Sequence, residues 1–357
     1  MLIRGTPFAA RAAAAAVALL LAAASVAASA QTNDCYFALR KDVATHEGAL
    51  VAATPAGPVE VSRERGYEWQ SLLIHPETDA LWAWGAGGAT GGELYVYDNA
   101  GNEIAEHDVV PLREFTIDEA LFLKRGERML GAGYGKPYLG FPPVLFTLST
   151  ADPVGSVRTI EPPGGVLALV VVGPRIVAIL APAEHFGPSR AFIYDRRTRE
   201  TETVTLPFED AVQTAHVDVA GKLWVGGTGP RLELGLVENE RDHPSTWRLV
   251  DRSGDIEGWS GGAMASSGGV LAVYSGTGLT TFRDGERLGG MPLDYRAAPA
   301  FPSVMVTEGG GAVIFGGSVP DDPARRGWLE ARSPDLATLY GRWDLPAEPT
   351  WMAAASR

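Results

Sequence analysis

Six apolar runs, each entered through a polar turn, recur along this 357-residue chain at nearly constant spacing. They begin at Ala80 (ALWAWG), Arg128 (RMLGAG), Arg175 (RIVAIL), Lys222 (KLWVGG), Val270 (VLAVYS) and Ala312 (AVIFGG), so the steps are 48, 47, 47, 48 and 42 residues. A period in the forties means that one supersecondary unit is used repeatedly, each copy burying its apolar face against the next. Within a period the chain divides into four strand-like runs, a to d. In the fourth unit these are 212–219, 223–225, 232–237 and 246–250; in the first they are 71–75, 81–84, 93–97 and 103–109. The runs are rich in Val, Leu, Ile, Tyr and Trp, which suit a half-buried pleated surface. Outside the first thirty residues no long window has a helical period.

The two ends fit the same frame. One period before Ala80 lies Asn33, followed by the apolar run Cys35-Tyr36-Phe37-Ala38-Leu39, and 49–53 and 59–61 continue that unit. It lacks an a run. Residues 349–354 read as an a run with nothing after it. The expected fold is therefore all-β: a seven-bladed β-propeller of four-stranded blades, the last blade closed by the C-terminal strand pairing with the N-terminal strands. The competing arrangements are a six-bladed ring with frayed ends and a pair of sandwiches. Gly pairs follow run b at Gly87-Gly88, Gly226-Gly227 and Gly316-Gly317, and Trp247 and Trp328 follow the second and third. These units resemble kelch-type propeller repeats, and KLWVGG at 222–227 is similar to the repeat of bacterial sensor-kinase periplasmic propellers. The resemblance covers two or three units and implies the fold rather than a chemistry.

Residues 1–30 have the order of a signal peptide: Arg4 and Arg11, an Ala- and Leu-rich run from Ala12 to Val26, then Ala28-Ser29-Ala30 as a cleavage site. A periplasmic or secreted address is expected, with residues 31–357 as a single domain. No other run is long and apolar enough to span a bilayer, so no membrane insertion is expected after cleavage. The chain carries −13, and removal of the two leader arginines leaves 28 basic against 43 acidic side chains, or −15. A balance this acidic disfavours nucleic acid and anionic lipid as partners. With a single cysteine, Cys35, there is no internal disulfide, and packing alone must hold a monomer together.

In a meander of this kind the b–c and d–a connections emerge on one face, around the central channel. Three b–c connections are long and rich in rings and charges: 133–142, 181–189 and 318–326. They nominate Tyr134, Lys136, Tyr138, Asp322 and Arg325 for ligand recognition, with Glu184 and His185 as polar candidates. Aromatic residues near the start of run a form a second set: Trp69, Phe115, Trp259 and Phe301. They offer rings for stacking on a ligand, or else fill the gap between neighbouring blades.

The templates for catalysis fail. Gly258-Trp259-Ser260-Gly261-Gly262 matches G-x-S-x-G, but that turn needs a strand–turn–helix setting. The six histidines show no metal-ligand spacing with one another or with cysteine, and no haem or phosphate-loop motif occurs, so no metal and no cofactor are expected. The leading expectation is an exported binding or scaffold module whose partner is a small molecule, a glycan or a protein, held by the b–c loops. A hydrolase or lyase is the first alternative, drawing on Glu184, His185, Glu209, Asp210 and His216 at the channel mouth. The second is the non-catalytic heavy subunit of a periplasmic redox enzyme, as in the quinoprotein amine dehydrogenases.

Overall fold

A computed structural model describes residues 35–354, apart from 43–46, 55–56, 62–66, 88–89, 99, 136–141, 183–186, 207, 209–211, 219–220, 228–230, 239–247, 258–262, 276–277, 295–303 and 323–325. Most of the described chain is strand. The closing sheet takes β1 (Cys35–Asp42), β2 (Glu47–Thr54) and β3 (Gly57–Glu60) from one end of the chain. Blade 1 follows as β4 (Tyr67–Ile74), β5 (Leu81–Gly87), β6 (Thr90–Tyr97) and β7 (Glu103–Asp108). Blade 2 is β8 (Phe115–Leu123), β9 (Arg128–Gly135), β10 (Val144–Ser149) and β11 (Arg158–Ile160). Blade 3 is β12 (Val166–Val172), β13 (Arg175–Leu180), β14 (Arg190–Asp195) and β15 (Thr201–Thr205). Blade 4 is β16 (Val212–Val217), β17 (Leu223–Gly227), β18 (Arg231–Glu238) and β19 (Arg248–Glu257). Blade 5 is β20 (Ala263–Ser267), β21 (Val270–Ser275), β22 (Gly278–Arg283) and β23 (Glu286–Pro292). Blade 6 is β24 (Val304–Val306), β25 (Val313–Ser318), β26 (Gly327–Arg332) and β27 (Leu339–Leu345). Last comes β28 (Glu348–Ala354), which returns to the closing sheet.

Seven four-stranded antiparallel sheets result, and in the closing one the order is β28-β1-β2-β3. The pairing runs from Cys35 opposite Ala354 to Arg40 opposite Glu348. The head-to-tail closure expected from the sequence is therefore present. Each first strand also touches the first strand of the next sheet, from β4 and β8 round to β24 and β28, and β28 touches β4. The inner strands thus form an unbroken circuit, as a propeller requires.

The core follows from this geometry. The b strands carry continuous apolar runs because both faces of a blade are covered: all six residues of β13 and of β21 are buried. Apolar side chains gather at the joints between blades. One cluster joins Trp82, Trp84 and Leu94 of blade 1 to Ile117, Met129 and Phe146 of blade 2. Another joins Leu123, Leu130 and Leu145 of blade 2 to Val166, Ile176 and Ala178 of blade 3. The outer d strands alternate between exposed and half-buried, as β7 and β15 show, because one face meets water.

Polar ties cross several joints, mostly from a side chain to backbone that the next blade cannot pair itself. Gln70 Oε1 accepts from the Ile117 N–H at 2.9 Å. The Tyr134 hydroxyl donates to the Val166 carbonyl. Ser189 Oγ accepts from the Val212 N–H at 2.9 Å, and the Tyr274 hydroxyl donates to the Gly316 carbonyl at 2.9 Å. No helix among the described residues is long and apolar enough to cross a membrane.

Candidate functional site

Among the described residues, a cleft of about 900 Å³ lies between blades 2 and 3. Its floor is apolar. Leu130, Leu145 and Ile176 come from the b and c strands of the two blades, with half-buried Tyr194 beside them. It stays open because the outermost strand of blade 2, β11, holds only three residues and covers little of the gap. The rim comes from turns. Lys124 and Arg128 stand at the a–b turn of blade 2, Gly173 and Pro174 form the a–b turn of blade 3, and Arg196, Arg197 and Arg199 occupy its c–d turn. Both kinds of turn lie at the blade end away from the b–c loops. The cleft thus opens on the face opposite the one nominated from loop length.

The c–d turn is firmly held. Asp195 Oδ1 accepts from the N–H of Arg197 at 2.7 Å and from that of Thr198 at 3.2 Å. Those bonds, with the nearby Arg175 and Arg197 charges, keep the Asp195 carboxyl below its usual range. Arg196 donates to the carbonyls of Gly173 at 2.6 Å and Pro174 at 2.9 Å, lashing the c–d turn to the a–b turn beside it. Lys124 and Arg199 have φ of 49° and 64°, a left-handed backbone that a glycine or asparagine adopts with less strain.

A second, smaller hollow of about 50 Å³ sits between blades 4 and 5, lined by Asp218, Trp224 and Ser266 among others. Beside it His216 Nε2 meets Ser266 Oγ at 2.6 Å, and the Trp224 indole donates to Asp218 Oδ2 at 2.9 Å. Burial pushes the His216 imidazole down to about 4, with the Asp218 charge pulling the other way. A general base works best with a pKa near the operating pH, and a hollow of this size admits a water molecule or two. The pair therefore reads as a joint between blades 4 and 5 rather than as a nucleophile and its base.

The other nominated residues fall into two groups. Glu184, His185, Glu209, Asp210, Lys136, Tyr138, Trp259, Phe301 and Arg325 lie outside the described residues. Trp69 is 4% exposed, with the rings of Tyr95 and Tyr97 edge-on at 5.5 and 6.4 Å, in the cluster between the closing sheet and blade 1. A ring covered this way has no face left for a ligand. Phe115 packs on the cluster between blades 1 and 2. Both rings pack in the joints between neighbouring blades. Tyr134 commits its hydroxyl to the tie across blades 2 and 3. Asp322 pairs with Arg326 at 2.6 Å within the connection from β25 to β26. The cleft residues escaped sequence reading because they belong to three separate turns and an edge strand of two units. Among the described residues, no group of His, Cys, Asp and Glu is placed to hold a metal ion.

No protein-family model and no curated protein matches this sequence. Solved structures do. A hypothetical selenium-binding protein from Sulfolobus tokodaii aligns at a TM-score of 0.63 and 12% identity, covering 92% of this chain and 95% of that one. The Cps50 (Swd1) β-propeller domain of Myceliophteria thermophila aligns at 0.50 and 15% identity, over 88% and 95%. Apo AztD from Citrobacter koseri aligns at 0.50 and 10% identity, over 90% and 86%. Identities this low speak to the fold alone, and with the closed circuit of inner strands they establish it: the chain is a β-propeller.

Proposed function

We propose that this chain is an exported, monomeric binding module that holds a small organic ligand in the cleft between blades 2 and 3. The observation that carries the reading is the cleft itself: at about 900 Å³ it is preformed, apolar at the floor and charged at the rim. Ligand sites of roughly 300–1,000 Å³ have this composition. Export rests on the leader-like order of residues 1–30, which lie outside the described residues. The b–c ends of the blades are on the opposite face, and the long loops that leave from them are not needed for this reading. A hydrolase centred on His216 is disfavoured by its low basicity and the small hollow beside it. The heavy-subunit role calls for a contiguous apolar face. The large apolar side chains exposed among the described residues (Val59, Ile104, Val110, Val154, Leu339 and Tyr340) fall on four neighbouring sheets but are interleaved there with exposed Glu60, Glu103, Glu106, Arg342 and Asp344.

The test is a plug. Thr159 lines the cleft from the edge strand β11 and is exposed, so Thr159→Trp fills space without touching the core. Thermal-shift screening of a metabolite and glycan panel is expected to find compounds that stabilise the native protein and not the plugged one. Compounds that stabilise both equally would place the site elsewhere.

A further inference from the structure

The charge on the cleft is out of keeping with the chain that carries it. The protein as a whole is at −13, yet six of its thirty Lys and Arg residues meet in this one cleft, and no Asp or Glu lines it. Glu127, Glu161, Asp195 and Glu200 neighbour cleft residues in sequence but do not line it, and of these Asp195 reaches Arg197 through its charge. Arg196 is spent on the Gly173 and Pro174 carbonyls and shapes the site. Lys124, Arg128, Arg158, Arg197 and Arg199 form no ion pair with any described residue. Five cations facing one space repel one another, and two of them, Lys124 and Arg199, stand on strained left-handed backbone. A cluster of cations with no acid among the residues that line it marks a site suited to negative charge.

We infer that the cleft receives an organic polyanion: a compact apolar or ring body carrying two or more phosphate, sulphate or carboxylate groups. This deepens the binding-module reading and rests on it. The body is assigned to the inner part of the cleft, where half-buried Ile160 and the half-buried Tyr194 ring offer apolar contact above the buried floor. The anionic groups are assigned to the rim, where guanidinium forks bind oxyanions in pairs. The volume far exceeds a single inorganic ion. A long polyanion is disfavoured, because beyond the cleft it would run over the surface of a chain at −13.

The experiment uses the full chain and named probes. Inositol hexakisphosphate is titrated calorimetrically against native protein, the double variant Arg158→Glu/Arg197→Glu, and a control, Arg283→Glu, an exposed arginine of blade 5 outside the cleft. All three arginines are exposed, so folding is expected to survive, and circular dichroism checks it. The expected result is binding by the native protein and the control, at least about tenfold weaker in the double variant, weakened by added salt, and not reproduced by neutral myo-inositol. Vesicles containing cardiolipin, whose headgroup carries two phosphates, against phosphatidylcholine, separate the sources. Capture of the anionic vesicles that is lost in the double variant assigns the anion to a lipid headgroup, and hexakisphosphate binding without capture assigns it to a free solute; either supports the inference. Equal binding by native protein and double variant, absence of binding to both probes, or tighter binding to a dodecameric oligonucleotide than to hexakisphosphate overturns it. A neutral ligand that Thr159→Trp excludes would leave the binding-module reading standing while the polyanion falls.

Discussion

At the scale of single residues, this protein places polar side chains where its blades meet. His216 is the one whose titration matters. Its folded pKa lies near 4 against an unfolded 6.5, so the unfolded chain binds the proton first. Stability is complete above pH 6.5, declines as the pH falls from 6.5 towards 4, and loses nothing more on this account below that. The ring is half-buried, so the loss should reach no more than about 2 kcal/mol. His216→Gln should flatten this part of the profile in urea melts taken at pH 7 and pH 4.5; an unchanged slope would show that the histidine does not couple to folding. The Tyr134 hydroxyl makes a different kind of tie, neutral and to backbone. Tyr134→Phe should lower stability by about 1 kcal/mol while leaving the strands intact. A loss of ligand binding with no loss of stability would restore Tyr134 to the recognition role that its loop suggested.

Among elements, the turns carry what the strands do not. The a–b turn of blade 5 presses on the 3₁₀ turn Glu308–Gly310 of blade 6, and a Cβ at Gly268 would strike the Gly309 carbonyl, whereas one at Gly269 would meet open space. Both have positive φ, 55° and 77°. Gly269→Ala should therefore cost about 1 kcal/mol in backbone strain alone, and Gly268→Ala at least about 1 kcal/mol more, a difference that paired chemical denaturations resolve. Legibility divides along the same line. The b strands could be read because burial on both faces leaves an uninterrupted apolar run, as at RIVAIL and VLAVYS. The outer strands were less distinct. The run expected at 246–250 is β19, Arg248–Glu257, whose Arg-Ser-Gly-Asp segment carries no apolar signal. The cleft was not legible at all. Its cations are dispersed from Lys124 to Arg199, and a net charge of −13 argued against the anionic partners they favour.

For the whole molecule, closure is the governing feature. Cys35 and Ala354 are directly opposed partners on antiparallel strands, at a separation within reach of a disulfide. Ala354→Cys should therefore crosslink to Cys35 under mild oxidation, visible as a mobility change on a non-reducing gel. Since the bond would close almost the entire chain into a loop, it should raise stability by about 3–5 kcal/mol. Failure to crosslink would mean that β28 does not sit on β1. The same arrangement bears on synthesis. A ribosome delivers β1 long before β28, so six finished sheets wait beside an unclasped one, with backbone donors and acceptors bare along β1. Until the last dozen residues arrive, a growing chain of this design stays adhesive, and whatever escorts it must shield that seam.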